Sequence, residues 1–165
     1  MRPILSSEKI SLSILLLIIG GCIYLLMRPP LLLIHKVAWD LGFGIIVQHG
    51  RMFVAGWAVP NWFLYSLPGA LWATAYILII DAILSENSVQ SRLLIAAFIP
   101  ALGVGSELMQ WAGLLPGTFD AIDMVFYAFP FLIYVIIEMM KSHENVNVNA
   151  TLFTLSFFTL YYGIQ

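Results

Sequence analysis

Between Lys9 and Arg28 the chain runs through residues 10–27 without a single charge. Wound as a helix at 1.5 Å per residue, that run reaches about 27 Å, close to the thickness of a bilayer's hydrocarbon layer. Such a segment can cross lipid only if its backbone groups satisfy one another, which in a single run means an α-helix. The pattern recurs along the chain, and 61% of the 165 residues are apolar while 10% are charged. A soluble domain carries about 25% charged residues, so this chain has too little polar surface for a compact soluble fold. An all-α, polytopic integral membrane bundle is expected, with about five transmembrane helices plus an interfacial or re-entrant segment.

Residues 1–9 form a short polar N-terminus ahead of the first span, 10–27. That span is retained as an anchor, because Met27, Arg28, Pro29 and Pro30 offer no small-x-small cleavage site. A core of three spans is expected over 62–140: 62–84 with Asp81, 93–115 with Glu107, and 121–140 with Asp123 and Glu138. A polar loop over 141–150 and a short fifth helix over 151–165 complete the reading. At about 22 Å that last helix needs local bilayer thinning. Residues 28–61 are broken by Pro29, Pro30, Pro60 and four glycines. Lys36, Asp40, Gly44 and Gln48 recur every fourth residue there, the polar stripe of an interfacial or re-entrant helix. Lys/Arg placement puts Arg2, Lys9, Arg92 and Lys141 in the cytoplasm against Arg28, Lys36 and Arg51 outside, which favours a cytoplasmic N-terminus.

A charge within a span costs at least about 2.5–3.5 kcal/mol, so each requires a reason. Asp81 lies one turn from the end of its span and is expected to reach the interface. Glu107 stands eight residues, about 12 Å, from its span end at Leu115, too deep for that. Gln110 follows on the same helical face and Gly103 precedes it, a small residue that lets a neighbouring helix approach. The short turn at 116–120 forces an antiparallel hairpin, and Asp120, Asp123 and Tyr127 share one face of its second helix. Counted from the turn, Gln110 at about 7 Å falls between Asp123 at about 4 Å and Tyr127 at about 10 Å. The two polar faces therefore meet, and Tyr127 is the donor expected to pair with Glu107.

Gly105-Ser106-Glu107-Leu108-Met109-Gln110, a Pro/Gly turn, and Thr118-Phe119-Asp120-Ala121-Ile122-Asp123 together resemble the hallmark of the VanZ-like membrane protein family, an E-x-x-Q followed by R-S-F-D-x-x-D. Gly117 stands where that family commonly has Arg, and Tyr127 where it has Asn. The resemblance covers roughly residues 62–140 and implies a small multispanning cell-envelope protein of the bacterial cytoplasmic membrane, in a family named for a glycopeptide-resistance accessory protein.

Other chemistry finds less support. A serine nucleophile at Ser106 would need an adjacent base, yet His35, His49 and His143 fall outside these spans, in segments expected as loops or interfacial pieces. The carboxylates of Glu107, Asp120 and Asp123 lack an imidazole beside them, so no metal or other cofactor is expected. The single Cys22 can form no intrachain disulfide. A net charge of -2 without a basic run excludes nucleic acid as a partner. The expected function is non-catalytic: a binding or accessory component whose Glu107, Gln110, Asp120, Asp123 and Tyr127 face holds the polar headgroup of a lipid-like or lipopeptide ligand. A small membrane enzyme acting through Glu107 and Asp123, or a structural subunit associating with other membrane subunits, is the alternative.

Overall fold

The computed structural model describes the backbone of residues 6–30 and 33–162, with side chains through residue 142. Its described residues contain only helices and their connections: α1 (Ser6–Met27), α2 (Leu33–Asp40), α3 (Gly44–Val54), α4 (Asn61–Tyr65), α5 (Leu67–Ile83), α6 (Val89–Ala96), α7 (Phe98–Trp111) and α8 (Ala121–Tyr162). Among the described residues, three stretches are long and apolar enough to cross a membrane: Ser6–Met27, Val89–Trp111 and Ala121–Ser142. α5, equally apolar, is 17 residues long. Three of the five expected spans are matched by full-length candidates and one by a shorter apolar helix, and the expected fifth, 151–165, lies beyond the described side chains.

Proline chemistry explains why two expected spans are each split. Pro68 cannot donate to the carbonyl of Leu64, so the run over 62–84 breaks at Ser66 between α4 and α5. Arg28 replaces the lost donor, its Nε donating to that Leu64 carbonyl at 3.0 Å and its Nη2 to the Tyr65 carbonyl at 2.8 Å. Similarly Pro100 leaves the carbonyl of Ala96 unserved, and the third apolar run starts at Val89 and breaks at Ala97 between α6 and α7. The segment 28–61 is two short helices rather than one striped helix. Gly42, at φ 81, ends α2, with Phe43 N donating to Ala38 O and Gly42 N to Trp39 O. This paired bonding around a left-handed glycine turns the chain and removes Lys36 and Asp40 from the helix that carries Gln48.

The chain divides into two compact units, Met1–Phe131 and Leu132–Gln165. In the first, α1 lies antiparallel to α5 through small side chains, as close helix packing in lipid favours. Ser13 and Ala73 are fully buried, and a Cβ added at Gly20 would stand 2.6 Å from Trp72 Nε1. At the end of the pair where α1 starts and α5 finishes, Asp81, expected to reach the interface, is 4% exposed within the protein. It accepts from Lys9 Nζ at 2.7 Å and from Arg92 Nη1 at 2.6 Å, tying α1, α5 and α6 together. Meanwhile Leu15, Ile18, Leu94, Phe98 and Leu102 are exposed. Polar groups inside and aliphatic groups outside invert the arrangement of a soluble fold and suit a surface that meets lipid.

The second unit is the continuation of α8. Within it Lys141 Nζ lies 2.6 Å from Glu138 Oε1, one turn apart. The backbone is helical across 141–150, where a polar loop was expected, and on to Tyr162. No Gly or Pro interrupts residues 141–150, so nothing in the local sequence stops the helix. The last three residues of the expected fifth helix lie outside the described residues.

Candidate functional site

The site is built at the turn between α7 and α8, inside the first unit. α7 ends at Trp111 because Gly113 adopts φ 71, with Leu114 N donating to Met109 O and Gly113 N to Gln110 O. Glu107 therefore stands four residues from its helix end, about 6 Å, nearer the end than a span reaching Leu115 implies. Across the turn Asp120 caps α8, its Oδ1 accepting from Ile122 N at 2.8 Å.

Glu107, 6% exposed, is aimed at the same helix start: its Oε2 accepts from the backbone N of Asp120 at 3.0 Å. A carboxylate there meets both an otherwise unserved N–H and the positive end of the helix dipole. The expected donor from Tyr127 is thus replaced by a main-chain donor. Sequence periodicity could place side chains on a face but gave no sign of the unsatisfied amide preceding α8.

Tyr127 instead serves packing. A Cβ at Gly103 of α7 would approach its ring to 2.4 Å, and one at Gly69 of α5 to 2.9 Å. The ring therefore fills a notch between two glycines on different helices. Gly69 was not anticipated; Gly103 was, as a site of close approach, and what approaches it is a ring. Gln110 lies beneath the turn, where a Cβ at Gly117 would stand 2.7 Å from Gln110 Oε1. Gly117 also has φ 136, so both backbone conformation and space favour glycine here.

Asp123 completes the group. It lies in the first turn of α8, and its Oδ1 is buried without a hydrogen-bond partner. Such an atom costs roughly 1–3 kcal/mol when left unserved, which makes it the unspent acceptor of this site. Glu107 and Asp120 are joined by a hydrogen bond; Gln110 packs on the turn, Tyr127 in its notch, and Asp123 holds open acceptor capacity. The site can receive a hydroxyl, amide or ammonium donor. Among the described residues, no group of three or more His, Cys, Asp and Glu side chains is placed to hold a metal ion. His35 and His49 belong to α2 and α3 rather than to this hairpin, and His143 lies beyond the described side chains.

Comparison with protein-family models, with curated proteins and with solved structures yields no match to this chain.

Proposed function

We propose that the chain is a VanZ-like integral protein of the bacterial cell envelope that binds, without transforming it, the polar headgroup of a lipid-like or lipopeptide ligand at the turn between α7 and α8. The observation that carries this reading is the buried, unpartnered Oδ1 of Asp123 beside a helix start already capped by Glu107 and Asp120. A buried acceptor without a partner is completed by a ligand's donor, and headgroup hydroxyls, amides or ammonium groups supply one. Binding is favoured over acid–base chemistry because Glu107 already has a structural task as acceptor for the backbone N–H at the start of α8. In this reading the N-terminus is cytoplasmic, the α7–α8 turn faces outward, and α2 and α3 lie in the outer interface. Membrane lipids surround the rest, with other membrane subunits as further partners.

The test compares protein purified from its own membrane with the Asp123→Ala variant by native mass spectrometry. The wild type is expected to retain a headgroup-bearing adduct, and the variant to hold about one tenth as much, the loss of a hydrogen bond to a charged acceptor. Equal adducts in both would remove the reading.

A further inference from the structure

A second polar site lies within the segment that links α1 to α4. Arg51 of α3 places its Nη1 2.9 Å from the carbonyl of Leu25 and 2.6 Å from that of Arg28, serving the exposed end of α1. Nε and Nη2 of the same guanidinium donate to no atom among the described residues. The imidazole of His35, 5% exposed, has its Nε2 within 2.8 Å of Leu25 O and 3.1 Å of Arg51 Nη1. That nitrogen is engaged, and Nδ1 is buried with no partner.

Both side chains line a cavity of about 320 Å³ together with Gln48 and Trp39. Every polar side chain lining it can donate a hydrogen bond, and no carboxylate does so. Arg51 also borders a second cavity of about 190 Å³, whose other walls include Leu26, Val54, Trp57 and Leu64. One cation thus borders both spaces. Around them Leu33, Ile46, Met52 and Phe53 are exposed, with Trp39 and Trp57, as in a helix pair seated at a membrane interface.

We infer that Arg51, His35 and Gln48 form a binding site for a phosphate-type anionic group, with the adjoining cavity, bordered by Leu26, Val54 and Leu64, taking the chain of an anionic lipid. Arg51 supplies the charge and a planar pair of donors, which match two phosphate oxygens. His35 donates through Nδ1 when that nitrogen carries a proton, and the Gln48 amide closes the open side. The site is independent of the α7–α8 turn, which offers acceptors where this one offers donors.

Binding is measured by titrating detergent-solubilised full-length protein, in separate arms, with short-chain phosphatidylglycerol and with inorganic phosphate. The wild type is expected to bind the lipid, Arg51→Gln to weaken that binding about tenfold and Gln48→Leu several-fold. Because Arg51 also serves the end of α1, its variant can lose folding as well. Gln48 is exposed and makes no hydrogen bond among the described residues, so its variant decides the matter if Arg51→Gln melts early. Binding of inorganic phosphate with the same dependence on these residues would support the anion site and identify the free ion as its source. Failure of the wild type to bind either probe, or binding unchanged in a folded Gln48→Leu, would overturn the inference.

Discussion

Asp81→Ala is expected to lower stability in detergent by about 3–5 kcal/mol, the usual cost of removing one partner from a buried ion pair. Asp81 accepts from Lys9 and Arg92 at once, and the two cations are only 17% and 13% exposed in their side chains. Without the carboxylate, two partly buried positive charges remain close together and lose their shared counter-ion. The effect is large because the cluster joins the start of α1 to the end of α5 and the start of α6, with Lys9 and Asp81 separated by 72 positions in sequence. Thermal unfolding of Asp81→Ala, Lys9→Met and the double variant measures the coupling. The double variant should lose clearly less than the sum of the two single losses. Strict additivity would mean that Lys9 and Asp81 do not act as a pair.

Glu107→Leu has the second large expectation, a loss of about 1–3 kcal/mol, with Glu107→Gln close to wild type. The leucine variant removes the acceptor of the Asp120 N–H and strands that donor at a helix start. Glutamine retains a carbonyl oxygen that can accept the same bond, although it gives up the interaction of a full charge with the helix dipole. Melting temperatures of both variants separate these outcomes. If the leucine variant melts with the wild type, the Glu107 cap contributes nothing to the hairpin.

How far the sequence foreshadowed this arrangement depended on whether a partner left a mark in it. Long runs with few charges marked the apolar helices, and Pro116-Gly117 marked the turn that brings Glu107 to the start of α8. Depth counting placed the polar residues of α7 and α8 at similar levels, yet assigned Tyr127 to Glu107. The true acceptor–donor pair uses a backbone N–H, which no side-chain pattern reports. Similarly, Arg28 and Arg51 looked like topology charges, whereas both donate to carbonyls exposed by a proline or a helix end. Pro68 and Pro100 were present to be read, but hydropathy averaged over about 20 residues concealed the breaks they impose. Lys9 and Asp81 are 72 residues apart, and nothing local announces their contact.

The claim that the α7–α8 turn receives a headgroup is tested most directly by a photoreactive side chain at Thr118, the exposed turn position two residues before Asp120. Illumination in native membranes should attach a headgroup-bearing molecule there, and the Asp123→Ala background should abolish that product. A second photoreactive position at Leu94, 78% exposed on α6, should capture membrane components regardless of Asp123. If Thr118 yields the same products as Leu94, or its products persist without the Asp123 carboxylate, the turn does not bind a headgroup.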